Sequence, residues 1–172
     1  MSGIDVASLT QNLKYCEEIY SQCDDVDKRQ LMLKLALLET CGWLEQCLDS
    51  LYNEIIVDER YEEDKRKRIS RIHGFGIDSI QDALIYFIGL VNYSKLEQAL
   101  ERELWENTKS SLGSLKKARD VFAHTSYVSE QSYLGFSQIR KQVENILKGL
   151  LKIRAYLMEN NFILCEDKDR KK

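Results

Sequence analysis

Apolar residues recur every three or four positions along most of this chain, a spacing that is typical of amphipathic helices. Five segments share this spacing, and they run from Val6 to Cys23, from Leu31 to Ile55, from Ile80 to Val91, from Leu100 to Phe122 and from Phe136 to Leu157. No segment alternates apolar and polar residues for long enough to predict a strand. The pattern therefore predicts an all-α fold, an antiparallel bundle of about five helices.

Polar residues mark where several of these helices begin. Asp24-Asp25-Val26-Asp27 interrupts the apolar pattern and offers a side-chain cap to the second helix. Asp78 opens the third. Ser94-Lys95-Leu96-Glu97 has the spacing of a capping box, in which the serine and the glutamate each bind a free backbone amide. We expect the fourth helix to begin there.

Length and composition fit one domain. The chain has 172 residues, of which 44% are hydrophobic and 31% charged, enough apolar material for a single buried core. We expect residues 1–165 to form one helical domain, with 58–76 as a charged connector inside it. Residues 166–172 form a polar tail.

The net charge and the cysteines argue against several classes of protein. A net charge of −3 argues against attraction of nucleic acid by the whole surface, although it leaves room for a local basic groove. The five cysteines lack the paired CxxC spacing of zinc sites, and their odd number argues against a disulfide framework. No stretch has the pattern of a signal peptide or the ~20 apolar residues of a membrane span. We expect a cytoplasmic protein that contacts no membrane and needs no metal or cofactor.

One carboxylate falls on an apolar stripe. Continuing the register of Leu38 and Cys41 toward Leu48 leads to Glu45, where an unpaired buried charge would be costly. Three interpretations remain open. The stripe is offset onto other leucines (Leu44 and Leu51) and Glu45 lies at its edge, or Glu45 makes a structural hydrogen bond, or it reaches a cation across the bundle. Arg119 is the obvious candidate for that cation.

The richest chemistry lies near the end of the fourth predicted helix, in Arg119-Asp120-Val121-Phe122-Ala123-His124. Asp120 and His124 are four residues apart and share a helix face, so the carboxylate can orient the imidazole. Arg119 and His124 are about 140° apart around the axis, so one straight helix does not aim both at one atom. Either the helix ends near the motif, or the site collects residues from more than one chain.

Without a metal, these groups suit phosphodiester cleavage of RNA. The ribose 2′-hydroxyl is an internal nucleophile, a histidine moves protons near neutral pH, and an arginine stabilises charge on the phosphate. The expected products are a 2′,3′-cyclic phosphate and a 5′-hydroxyl.

The charged connector contains a second arginine–histidine pair of the same spacing, Arg68 and His73, but no acidic residue follows that arginine. Lys65, Arg66 and Arg68 are candidates for binding RNA. The alternative is that this run is a solvated surface.

The motif resembles that of the HEPN superfamily, all-α domains in which an arginine is followed four to six residues later by a histidine. The pattern is similar to Arg119-Asp120 with the ending Ala123-His124. In addition, the glutamate-bearing helix of several HEPN groups is similar to Gly42-Trp43-Leu44-Glu45. The resemblance implies a metal-independent endoribonuclease of toxin–antitoxin, antiviral-defence or RNA-processing systems. It implies a homodimer whose two motifs face one cleft, with an antitoxin or regulatory protein as partner.

The resemblance also implies residue roles. Arg119 would stabilise phosphate charge, His124 would transfer protons, Asp120 would orient His124 and Glu45 would support them. One HEPN group, paired with a nucleotidyltransferase antitoxin, has a tyrosine two residues after the histidine, whereas here Tyr127 stands three residues after it. Other HEPN domains are non-catalytic, so the alternative is a binding or accessory module with a structural arginine–histidine pair. A plain helical scaffold is a third alternative.

Overall fold

The protein is an all-α bundle, as the apolar spacing predicts. The computed structural model describes residues 6–72, 74–122 and 134–163, together with the backbone of 123 and 124. Its helices are α1 (Val6–Gln22), α2 (Val26–Glu54), α3 (Glu62–Ile69), α4 (Ile77–Ile88), α5 (Leu90–Ala99), α6 (Arg102–His124) and α7 (Phe136–Glu159). Within these ranges the only strand-like pairing is an isolated bridge between Ile55 and Ile163.

The long helices carry the core. α1 packs along α2, α6 packs along α7, and α2 also contacts α6 and α7. The face of α2 that these neighbours cover includes Leu37, Leu44 and Leu51, all of them buried. No helix in the described part of the chain is both long enough and apolar enough to cross a membrane.

The start of α2 confirms one sequence signal. Asp25 is the N-cap, and its carboxylate accepts hydrogen bonds from the backbone N–H groups of Asp27 at 3.0 Å and Lys28 at 3.2 Å. The apolar stripe predicted for this helix is wrong at its beginning, since Leu31 and Leu38 are exposed. The buried residues in this part of α2 are Leu33, Ala36 and Leu37, so the covered face is offset from the predicted stripe.

The predicted start of the fourth helix is also wrong. Ser94 lies inside α5, and α6 begins only at Arg102. Gly89 separates α4 from α5, with a φ of 79° that a residue with a side chain rarely adopts. The chain turns at that glycine, so the break falls five residues before the apparent capping box.

The charged connector contains a helix that apolar spacing does not reveal. A 3₁₀ turn (Glu59–Tyr61) leads into α3, whose first turn is acidic and whose last turn is basic. That order of charges stabilises a short helix through its dipole. Phe75, at the end of the connector, is buried and anchors it to the core.

Candidate functional site

The arginine–histidine motif lies in the last two turns of α6. The buried face of this part of the helix consists of Leu112, Leu115, Ala118 and Phe122. Arg119 stands next to Ala118 in the chain and lies at the edge of that face. α6 runs through His124, its last residue. The side chain of His124, like residues 125–133 with Tyr127, lies outside the described part of the chain. Positions 119 and 124 are therefore on one helix, about 140° apart around its axis.

Arg119 is held by two carboxylates. Its Nη1–H donates to Glu45 Oε1 at 3.1 Å, and its Nη2–H and Nε–H both donate to Asp120 Oδ1, at 3.3 and 3.4 Å. The guanidinium lies over the ring of Phe75, 5.1 Å from its centroid. The side chain is 27% exposed. It is thus fixed in orientation while part of it still faces solvent.

Two of the three interpretations of Glu45 hold together: it lies at the edge of the buried stripe, and it contacts a cation across the bundle. It lies at the edge of the buried stripe formed by Leu44 and Leu51, with 44% of its side chain exposed. From that edge it reaches Arg119, and this confirms the predicted partner. The ion pair joins α2 to α6 across the bundle.

Asp120 has a second cation beside it. Its other carboxylate oxygen, Oδ2, is 3.7 Å from Lys116 Nζ, one turn earlier on α6. Asp120 also precedes His124 by one turn, and so it shares a helix face with that position. The structure therefore shows what Asp120 does for Arg119, while its predicted role as orienter of His124 stays a prediction.

A cleft of about 420 Å³ opens beside Arg119, between α2 and the end of the connector. Its lining combines polar and apolar side chains: Glu45, Leu48, Asp49, Tyr52, Ile69, Ser70, Ile72, Gly74 and Arg119. Sequence reasoning missed Asp49 and Tyr52. The signal was there, because Asp49 follows Glu45 by four residues and Tyr52 follows Asp49 by three, which places all three on one helix face.

Burial shapes the ionisation of groups around the cleft. It raises the pKa of the Asp49 carboxyl, and it raises the pKa of the Tyr52 phenol, to which the charge of Asp49 adds. Burial also raises the pKa of the Cys41 thiol to about 12, partly opposed by the Arg119 charge. Cys41 is therefore a protonated, unreactive neighbour of the site.

The connector residues predicted to bind RNA lie in different surroundings. Lys65 is 6% exposed, and its ammonium donates to the backbone carbonyls of Asn53, at 3.0 Å, and Ile55. Arg68 is half-buried, with its guanidinium 5.1 Å from the ring centroid of Tyr86. Arg66 is exposed. Lys65 thus binds the carbonyls at the end of α2 from a buried position, and of these three residues only Arg66 is exposed.

No protein-family model matches this chain, and neither a characterised protein nor a solved structure matches it. The function of the site must therefore be inferred from its own side chains. Among the described residues, no group of three or more His, Cys, Asp or Glu side chains is arranged to hold a metal ion. The described groups at the site are the Arg119 guanidinium, the Glu45 and Asp120 carboxylates that hold it, and the Asp49 carboxyl in the same cleft.

Proposed function

We propose that this protein is a metal-independent endoribonuclease of the HEPN type. The observation that carries the proposal is the placement of Arg119. Its guanidinium is held by Glu45 and Asp120 at the wall of a cleft, five residues before His124 on the same helix. This combines a fixed, accessible cation with a histidine five residues further along the same helix.

Arg119 would bind the scissile phosphate. Negative charge develops on the non-bridging oxygens as the 2′-hydroxyl attacks phosphorus, and an oriented guanidinium stabilises it. Glu45 and Asp120 orient the side chain before RNA arrives, which lowers the cost of ordering it. Replacing Arg119 with lysine keeps the charge but loses the planar fork, so it should lower the rate by about 100-fold.

His124 would carry the protons. One imidazole removes the proton of the 2′-hydroxyl as the new O–P bond forms, and an imidazolium donates a proton to the 5′-oxygen as that P–O bond breaks. The balance leaves a 2′,3′-cyclic phosphate and a 5′-hydroxyl. Two histidines are needed at once, which two copies of the chain would supply.

An exposed leucine stripe supports the proposed homodimer. Leu31, Leu35 and Leu38 are all exposed, and their spacing of four and three residues puts them on one face of α2. Continuing that spacing leads through Gly42 to Glu45, the partner of Arg119. An apolar stripe of this kind is typical of a surface that another protein covers. A second copy packed here would bring two motifs near one another.

The second candidate is a non-catalytic module, and the same contacts give it a specific basis. Arg119 donates three hydrogen bonds to Glu45 and Asp120 and lies on Phe75, an arrangement that also suits a structural bridge between α2, α6 and the connector. In that case removing Arg119 would lower stability and no RNA would be cleaved.

The test is incubation of the purified protein with mixed cellular RNA in EDTA, beside a His124→Ala variant. The proposal expects cleavage by the wild type, cyclic-phosphate ends and no cleavage by the variant at unchanged fold. His73→Ala is the matched variant, because His73 stands in the other arginine–histidine pair. Loss of cleavage in His73→Ala but not in His124→Ala would show that the proton carrier is misassigned. Absence of cleavage by the wild type would favour the non-catalytic module.

A further inference from the structure

A depression beside α3 collects several exposed apolar side chains. Its volume is about 360 Å³, and its lining includes Ile56, Tyr61 and Tyr86. These three side chains are 43%, 56% and 51% exposed. Single apolar residues on a surface are ordinary, but three large ones around one depression are typical of a surface that binds a partner. We call this surface the tyrosine depression.

Each tyrosine of the depression has an arginine against its ring. The guanidinium carbon of Arg68 is 5.1 Å from the ring centroid of Tyr86, and that of Arg60 is 5.8 Å from the ring centroid of Tyr61. The face of an aromatic ring attracts a cation, so these contacts restrain the orientation of both rings. About half of each tyrosine remains exposed. The depression therefore offers two oriented rings that a partner can reach.

Arg68 brings a positive charge to the rim of the depression. Its side chain is half-buried, and no carboxylate of the described residues forms an ion pair with it. Burying part of a charge is costly unless an opposite charge pairs with it. Asp58, which lines the same depression, is already occupied, because its two oxygens accept hydrogen bonds from Arg60 Nε and Nη2, each at 2.9 Å. An anionic partner would supply the charge that Arg68 lacks.

The basic end of α3 lies between the tyrosine depression and the cleft beside Arg119. Lys65 of α3 lines the depression, whereas Ile69 and Ser70, which directly follow Arg68, line the cleft. The last turn of α3 is basic, with Arg66, Lys67 and Arg68. An extended anionic chain that occupies both the depression and the cleft would therefore pass Arg68.

We propose that the tyrosine depression binds unpaired nucleotides of an RNA strand, with bases stacked on Tyr86 and Tyr61 and a phosphate at Arg68. A single strand combines flat rings with negative charge, and aromatic side chains beside arginines are the groups that bind such strands. Base pairing would withdraw the bases from the tyrosines, so a duplex should bind more weakly.

The choice of RNA as the strand rests on the proposed ribonuclease function, because the depression would hold the substrate on one side of the cleft. The stacking itself depends only on the two tyrosines and their arginines. It therefore has a test of its own, in which nothing is cleaved.

Two uncleavable 2′-O-methyl oligouridines, titrated by fluorescence anisotropy at low salt, test the stacking. One carries a base at every position, and the other is abasic in its central part and keeps only the phosphates there. The wild type should bind the base-bearing strand about 10-fold more tightly. Equal affinity for the two strands would overturn the stacking. Binding of neither strand would overturn RNA as the partner and would favour a protein in its place.

Substitutions of Tyr86 locate the stacking. Tyr86→Leu keeps an apolar side chain without the ring and should remove most of the preference for the base-bearing strand, whereas Tyr86→Phe should keep it. Tyr15→Leu is the matched control, because Tyr15 is an exposed tyrosine of α1. Tyr61→Leu repeats the test at the second ring if Tyr86→Leu lowers the melting temperature. A full preference in folded Tyr86→Leu and Tyr61→Leu would overturn the assigned contacts.

Arg68→Gln tests the phosphate contact. The slope of log affinity against log salt concentration should become shallower by about one, because one phosphate contact is lost. Arg29→Gln is the matched control, since the Arg29 guanidinium also lies 5.1 Å from a tyrosine ring centroid, that of Tyr20. An equal change of slope in both variants would show a general effect of net charge and would overturn the contact at Arg68.

Binding and cleavage together separate this surface from the nuclease. Base-dependent binding without cleavage would leave the tyrosine depression as a strand-binding surface and remove the nuclease. Cleavage with the same KM in the wild type and in Tyr86→Leu would do the reverse.

Discussion

Arg119 shows how residues far apart in sequence position one side chain. Glu45 comes from α2, Phe75 from the connector and Asp120 from the next position on α6. The arginine could be singled out from its spacing to His124, and Glu45 from its place on an apolar stripe. Nothing in the sequence indicated that Phe75 would contact Arg119, because a single aromatic residue in a charged segment usually just anchors a loop to the core.

Lys65 is the residue whose structural role differs most from its appearance in the sequence. It belongs to a basic run, yet its ammonium is buried and satisfies carbonyls at the end of α2. The last carbonyls of a helix lack partners within it, and a lysine from α3 supplies one here. Replacing Lys65 would therefore affect RNA binding by destabilising the structure, and not by removing a direct contact with RNA.

Lys65→Met should destabilise the protein by about 2 kcal/mol, because hydrogen bonds from a charged group to buried carbonyls are lost. The free energy of unfolding in urea measures this. Lys67→Met is the matched control, since Lys67 is exposed and its ammonium pairs with the surface carboxylate of Glu63, at 2.7 Å. Such a surface pair contributes little, so this variant should stay within about 0.5 kcal/mol of the wild type. Equal effects of the two substitutions would contradict the buried role of Lys65.

At the scale of elements, α6 and α7 approach closely at a polar seam. Thr108 Oγ1 donates to Leu104 O at 2.8 Å and lies 3.3 Å from Asn145 O, and Asn145 in turn donates to Ser111 at 3.1 Å. The approach requires Gly149 on α7. A Cβ there would lie 2.3 Å from Thr108 Oγ1.

Gly149→Ala should therefore cost about 1–3 kcal/mol of stability, because the two helices would have to move apart. Gly113→Ala is the control on α6, where a Cβ meets nothing within 4 Å. It should stabilise the protein by about 0.5–1 kcal/mol through helix propensity. Thermal unfolding of both variants gives the comparison. Adding Thr108→Ala to Gly149→Ala should restore part of the lost stability, because it removes the side chain that the new Cβ would meet. If stability is not restored, contact with Thr108 is not the cause of the loss.

At the scale of the whole molecule, the exposed leucines of α2 test the proposed homodimer. Leu35→Glu should shift a dimer to a monomer in sedimentation at micromolar concentration, because a buried charge at the interface has no partner. Leu151→Glu, at an exposed leucine of α7, is the control and should leave the association unchanged. A wild-type monomer, or a Leu35→Glu dimer of normal affinity, would contradict the proposed interface.

The buried thiols make stability depend on alkaline pH. Burial raises the pKa of the Cys41 and Cys47 thiols to about 12, against an ordinary value near 9. The folded protein holds these protons more tightly than the unfolded chain, so their contribution is complete below pH 9 and is lost as pH rises toward 12. Each thiol should contribute a loss of about 1 kcal/mol at pH 10. Urea unfolding at pH 7.5 and pH 10 measures this loss, which should be smaller in Cys47→Ala. Equal losses in both proteins would contradict the buried thiol.

The sequence by itself determined the all-α class, the approximate course of the long helices and the place of the motif. Apolar spacing predicted the all-α bundle, Asp25 marked the start of α2, and Arg119 and His124 were assigned to one helix. These features depend on interactions within one or two helical turns. A break at Gly89 and a short charged helix, α3, escaped prediction because neither alters an apolar stripe.

Only the tertiary structure decided which side chains share the site. Glu45 and Arg119 are 74 residues apart, and their contact depends on how α2 and α6 pack. The same packing buries Lys65, exposes Leu31 and opens the cleft that joins Asp49 to Arg119. Periodicity shows that a helix has a buried face, but the neighbouring helices select which residues lie on it, since burial is a property of the whole assembly of helices.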